Sequence, residues 1–218
     1  VSRRLKVPLF YAGDLRKVNG QLVNCTITAL KQNTASDQVV LATPPVKKDF
    51  INLQQDQLDQ TTALLILGGP TDEHPFTYDD FEKIIDKFIA FCTQNQLKGL
   101  ITNSRRTPNL DRYFQKTKIP ENIQLHLVQT KNALSLVQLI KQATYIFVTE
   151  DSTSMLAETI QSGRFICSIY NSKSILEPLN QKYLQHKLMQ RQNLAEDFQH
   201  PDCKNTQDLD VESPLLSF

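Results

Sequence analysis

No stretch of this chain approaches the roughly 18 consecutive apolar residues of a membrane span, and the opening "VSRRLKVPLFYAG" holds too short an apolar segment for a secretion signal. A cytoplasmic address is therefore expected. There is also no excess of charge of one sign. The 24 basic and 23 acidic residues leave a formal charge of +1, so no global field argues for a nucleic acid or an anionic membrane as partner. The four cysteines, Cys25, Cys92, Cys167 and Cys203, form no CxxC pair, and the four histidines, His74, His126, His186 and His200, are equally scattered. That spacing speaks against zinc and redox motifs and leaves reduced thiols, with no metal and no cofactor implied. Tryptophan is absent, and a chain that also opens on Val1 is expected to lack its natural beginning.

With 218 residues and 40% hydrophobic content, the chain suits one large soluble domain, or one domain with part of another. The period of the apolar residues organises it further. "ALLILGG" (63–69), "KGLITNS" (98–104), "IQLHLV" (123–128), "TYIFVTE" (144–150) and "RFICSIY" (164–170) are short apolar runs that end in polar or glycine-bearing turns, and they read as strands. Between them lie helical patterns. "YDDFEKIIDKFIAFCTQNQ" sets Phe81, Ile84, Ile85, Phe88 and Phe91 on one face, "NALSLVQLIKQA" does so with Leu136, Val137 and Ile140, and "TSMLAETIQS" supplies a third.

Strand and helix alternating in this way predict an α/β fold, a Rossmann-like and mostly parallel sheet with helices on both faces. The expected organisation is a partial, β-rich N-terminal segment over 1–59, a Rossmann-like domain over 60–195 and a polar C-terminal tail over 196–218. Three short strands are expected in the first segment, in "VPLFYAG", "LVNCTITAL" and "QVVLATP". After residue 170, "ILEPLNQKYLQHKLMQRQNL" reads as one helix begun near Pro178, followed by a loosely ordered tail.

Three of the strand exits carry unusual chemistry. The first is Gly68, Gly69 and Pro70, followed by Thr71, Asp72, Glu73 and His74. Glycine there lets backbone N–H groups approach a phosphate, although a tight turn would use the same residues, and neither GxGxxG nor the P-loop lysine is present. The second is "TNSRRTP" (102–108), in which Arg105 and Arg106, beside Ser104, could hold a phosphate or carboxylate bidentately or could simply be solvated. The third is "VTEDSTSMLAETIQSG" (148–163). Here Asp151 or Ser152 is positioned to cap a helix, Ser154, Glu158 and Gln161 share one face, Met155, Leu156, Thr159 and Ile160 turn toward the sheet, and Gly163 closes the helix in the left-handed region. Capping accounts for one hydroxyl and not for Glu158.

"LLILGGPT", "GLITNSRRTP" and "ATYIFVTEDSTSMLAETIQSGRFICSIY", in that order, resemble the mitochondrial fission (elongated mitochondria) family and its bacterial homologues over residues 60–170. That family is in turn similar to the C-terminal, nucleotide-sugar-binding half of GT-B glycosyltransferases. The resemblance implies a nucleotide-diphosphate sugar as ligand, with Gly68 and Gly69 in the glycine loop, Ser104, Arg105 and Arg106 in the arginine loop, and Ser152, Ser154, Met155 and Glu158 in the serine–glutamate segment, Glu158 binding the ribose. It also implies a glycosyltransferase-related role in envelope polysaccharide synthesis, a glycan or lipid-linked acceptor, and peripheral association with the inner membrane. Asn103 departs from the family's usual hydroxyl, and "GRFICSI" from its Gly-Lys-Pro-Val pattern.

A GT-B enzyme uses two Rossmann-like domains, so residues outside this chain are expected to take part in any chemistry. The catalytic base is open, with His74 and Asp72 candidates by location alone. A member that binds a ligand or partner without turnover is the alternative.

Overall fold

The computed structural model describes residues 61–160, 162–185 and 187–201, together with strand segments at 10–12, 25–28 and 39–41. The chain divides into two compact units, Val1–Val46 with Asp210–Phe218, and Lys47–Leu209. In the first, β1 (Phe10–Ala12), β2 (Cys25–Thr28) and β3 (Val39–Leu41) pair in parallel in that order. They fall within the three segments read as strands.

The second unit is built on six strands: β4 (Thr62–Leu67), β5 (Lys98–Asn103), β6 (Ile123–His126), β7 (Tyr145–Thr149), β8 (Phe165–Tyr170) and β9 (Gln190–Asn193). Every pairing is parallel, and the order across the sheet is β6-β5-β4-β7-β8-β9. The first three strands thus run outward one way from β4 and the last three the other way from β7. Order reverses between β4 and β7, and in doubly wound sheets that point opens a crevice outside the carboxyl ends of the strands.

Helices α1 (Tyr78–Gln94), α2 (Asp111–Lys116), α3 (Leu136–Gln142), α4 (Thr153–Ile160) and α5 (Pro178–Gln185) fill the crossovers. Helix α1 starts at a capping box, in which Asp80 N–H donates to Thr77 Oγ1 at 3.2 Å and Thr77 N–H to Asp80 Oδ2 at 2.9 Å. Its expected apolar face is buried as a unit, Phe81, Ile84, Ile85 and Phe88 completely. Those side chains meet Ala63, Leu65, Leu67, Ile101, Phe147, Cys167 and Ile169 in one cluster. Strand residues of the other parity, Leu64, Ile66, Leu100, Ile146 and Val148, are also fully buried, as a two-residue period requires of a sheet covered on both faces. On α3, Leu139 and Ile140 are buried, while Leu136 and Val137 are only half-buried. Among the described residues no helix is long and apolar enough to cross a membrane.

The single helix expected from near Pro178 to residue 194 is corrected at its C-terminal half. Helix α5 stops at Gln185, Lys187 takes a left-handed φ of 56°, and the chain re-enters the sheet as β9. Nothing in "QRQN" has strand propensity. The strand exists because it pairs with β8 and because Arg191 has a buried partner there. Beyond it Phe198 stacks on Phe147, ring centroids 4.8 Å apart and planes 8° from parallel, and His200 packs edge-on against Phe91 and Tyr145. Residues 196–201 of the expected tail therefore belong to the packed unit, and 202–218 lie outside the described residues.

Candidate functional site at the switch point

Gly68 and Gly69 leave the end of β4 directly beside the end of β7. Gly68 N–H donates to Thr149 Oγ1 at 2.8 Å and Gly69 N–H to Asp151 Oδ2 at 2.6 Å. A β-carbon on Gly68 would overlap the Asp151 carboxylate, and one on Gly69 would overlap the Arg106 backbone. Both glycines are thus explained by close approach of neighbouring chain. The two amides that sequence reasoning offered to a diphosphate are engaged by side chains of the third loop.

The arginine loop is clamped to the glycine loop by its threonine. Thr107 Oγ1 faces Leu67 O at 3.0 Å and makes a short contact with Gly68 O, while accepting from Ser104 N–H at 2.9 Å. Ser104 N–H also reaches Leu67 O at 2.8 Å, and Ser104 Oγ accepts from Arg106 N–H at 3.1 Å. These bonds fold 104–107 into a tight turn that leaves Arg105 and Arg106 exposed on its crest. Asn103, the family departure, is structural. Its Oδ1 accepts from Val128 N–H at 2.8 Å and its Nδ2 donates to Gln129 Oε1 at 3.3 Å, which secures the loop after β6.

In the third loop the adjacent carboxylates diverge. Glu150, with no side-chain exposure, accepts from Ser168 Oγ at 2.8 Å and is held bidentately by Arg191, Nε at 2.7 Å and Nη2 at 2.9 Å. The guanidinium lies 3.7 Å from the centroid of the Tyr170 ring. Asp151, also without side-chain exposure, points the other way. Its Oδ2 receives Gly69 N–H and Arg106 Nη2, the latter at 3.3 Å, and Arg106 Nη2 also donates to Asp151 O at 3.3 Å. Asp151 Oδ1 is buried without a partner. Burial pushes the Asp151 carboxyl above the usual range, and the Thr149 hydroxyl, Gly69 amide and Arg106 charge pull it back in part.

Helix α4 starts from this turn, Leu156 N–H donating to Ser152 O at 3.0 Å. Ser152 is buried, with its hydroxyl 3.5 Å from that of exposed Ser154, and Met155 and Glu158 are half-buried on the first turns of the helix. Leu156, Ala157, Thr159 and Ile160 form the packed side. Gly163, at φ 69°, closes the segment as expected.

The three loops therefore meet at one sheet edge, joined by Gly69, Thr107, Arg106 and Asp151. Sequence reasoning named Arg106 and the glycines but missed Thr107, Thr149 and Asp151 as the residues that join the loops. It also missed Arg191, whose strand it had read as helix. His74 has a buried ring with neither nitrogen hydrogen-bonded, the setting of a packed side chain rather than of a base open to substrate, whereas Asp72 is exposed. Among the described residues no group of histidine, cysteine, aspartate and glutamate is arranged to hold a metal ion.

A model of the family described as mitochondrial fission ELM1 matches residues 23–214. Among solved structures, MurG from Acinetobacter baumannii superposes with a TM-score of 0.53 at 14% identity, over 89% of this chain and 55% of that one. The glycosyltransferase VinC in complex with dTDP gives 0.44 at 11% identity, over 80% and 41%. The chain spans about half the length of the solved structures it matches. No curated protein sequence matches it. At such identities the likeness carries the fold, a Rossmann-like α/β sheet of the kind found in GT-B glycosyltransferases.

Proposed function

The chain belongs to the mitochondrial fission ELM1 family, and from that membership and the three loops gathered at the carboxyl ends of β4 and β7 we propose that it binds a nucleotide-diphosphate sugar in the crevice such a switch point forms. The diphosphate lies against Arg105 and Arg106, with the Ser104, Ser152 and Ser154 hydroxyls as further donors, and Glu158 accepts from the ribose diol. Gly68 and Gly69 serve this site by letting Asp151 and the arginine turn close on the end of β4. Sugar transfer to a glycan or lipid-linked acceptor, in envelope polysaccharide synthesis, is the activity the reading points to, with the arginine charges favouring departure of the diphosphate.

One observation carries the reading. A half-exposed guanidinium, Arg106, is held at the carboxyl end of the switch point by a buried carboxylate, where doubly wound folds take their nucleotides.

A second reading, ligand binding without turnover, is favoured by the enclosure of two titratable groups near the cleft. Both the His74 ring and the Asp151 carboxyl are buried. A thermal-shift screen with UDP-, GDP-, ADP- and CMP-sugars tests the proposal. Ligand at 100 times its Kd stabilises a fold by about 2.7 kcal/mol, enough to raise the midpoint measurably. A response to one nucleotide diphosphate sugar is expected, and silence at saturating concentrations of all four contradicts it.

A further inference from the structure

Asp151 Oδ2 is shared by two donors of different kinds. Gly69 N–H is fixed in the backbone at 2.6 Å, whereas Arg106 Nη2, at 3.3 Å, belongs to a side chain that is 50% exposed. The carboxylate itself has no exposure, and among the described residues no hydrogen bond meets Oδ1, the Thr149 hydroxyl lying close by. Its countercharge is thus the same half-exposed guanidinium that an anionic ligand in the cleft would claim.

Among the described residues, the arginine turn brings Arg106 to this carboxylate, the glycine loop brings the Gly68 and Gly69 backbone, and the end of β7 brings the Thr149 hydroxyl. On its own turn Glu150 is turned away into Arg191 and Ser168. Helix α4, which starts from that turn, carries Glu158.

We propose that Asp151 is a positioning residue for Arg106 whose release is coupled to proton uptake: an anion that draws Arg106 off Oδ2 leaves Asp151 to take one proton from solvent. The inference rests on the reading of the cleft as an anion site. No covalent bond of the ligand changes, one O–H bond forms on the carboxyl, and the proton comes from water. The physical reason is that a buried carboxylate stripped of its countercharge, and set beside a new negative charge, is far costlier than the neutral acid. Burial already lifts this carboxyl above the usual range, and loss of Arg106 removes one of the four influences that hold it down, the others being the Thr149 hydroxyl, the Gly69 amide and its own backbone amide.

Sulfate is a suitable probe, because its own charge is constant between about pH 5 and 8, the range in which Asp151 is tested. Its binding to the full chain is followed by the amide shifts of Gly69 and Arg106 at fixed ionic strength. Proton uptake requires the affinity to fall as pH rises, approaching tenfold per pH unit between the carboxyl's free-state and bound-state titrations. In Asp151→Asn the affinity should be independent of pH. Should that variant fail to fold, the carboxyl carbon shift of Asp151 in the unmodified protein decides, since sulfate should move it toward the protonated position.

Sulfate binding with flat pH dependence, an Asp151 that stays ionised, or a slope that survives in Asp151→Asn would each overturn the coupling alone. Absence of any sulfate response at the two amides would overturn the anion reading of the cleft along with it.

Discussion

The Gly69 amide donates to Asp151 Oδ2 at 2.6 Å across 82 residues of chain, joining the exits of the two strands between which the sheet reverses its order. This bond explains two sequence features together. The glycine pair is needed because any β-carbon would collide with the carboxylate or with the arginine turn, and the aspartate is needed to satisfy an amide that the close approach buries.

Gly68→Ala should destabilise the protein by about 1–3 kcal/mol, the range for forcing an extra methyl into a packed site, because the Asp151 carboxylate must move and release the Gly69 amide. Urea melts should show a lower midpoint with an unchanged slope. An unaltered midpoint would mean that the loops are held apart from one another in solution.

The fold was largely legible because its signals are local. Four of the five apolar runs from Ala63 to Tyr170 are near-continuous, as strands buried on both faces must be, while "IQLH" alternates, as suits β6 at the sheet edge, and each run became a parallel strand. Strand β9 was illegible because "QRQN" owes its conformation to Glu150, 41 residues away, and not to its own propensities. The same holds at the cleft. Arg106 and the glycines stand out by type, but the adjacent Glu150 and Asp151 read as one acidic pair until the chain direction separates them, one toward the edge strand and one into the loops. Thr107 is an ordinary residue in sequence, and it becomes a clamp only when β4 and β5 are side by side.

Removing Arg191 should cost more than an ordinary surface arginine would suggest. Arg191→Met leaves Glu150 buried without its countercharge and is expected to lose about 3–5 kcal/mol, the scale for breaking a buried ion pair from one side. Adding Glu150→Gln should recover part of that loss, because the stranded charge is gone. A double-mutant cycle in denaturant measures the coupling, and additive losses would show that the pair is not a unit.

Stability should depend on pH through Asp151. Its folded carboxyl titrates above the usual range, so the folded state binds the proton more tightly than the unfolded chain does. The resulting contribution is fully present below the unfolded value, about 4, and is lost as pH rises through the folded value. Asp151→Asn cannot titrate. As pH rises from the unfolded value through the folded one, its stability should therefore improve relative to the unmodified protein and then level off, and a constant difference throughout would show that the carboxyl is not perturbed.

The cleft's role as a diphosphate site is tested most directly by calorimetric titration of the nucleotide sugar that responds in the screen, against the unmodified chain, Arg106→Gln and Glu158→Gln. Each substitution should weaken binding by about 1–3 kcal/mol, the scale of a hydrogen bond to a charged group; Glu158→Gln should leave the denaturation midpoint little changed, whereas Arg106→Gln should also lower it at neutral pH, because Asp151 loses its countercharge. Affinity unchanged in both variants, or a Glu158→Gln protein that loses stability but not ligand, would contradict the assignment of these loops to a nucleotide-diphosphate sugar.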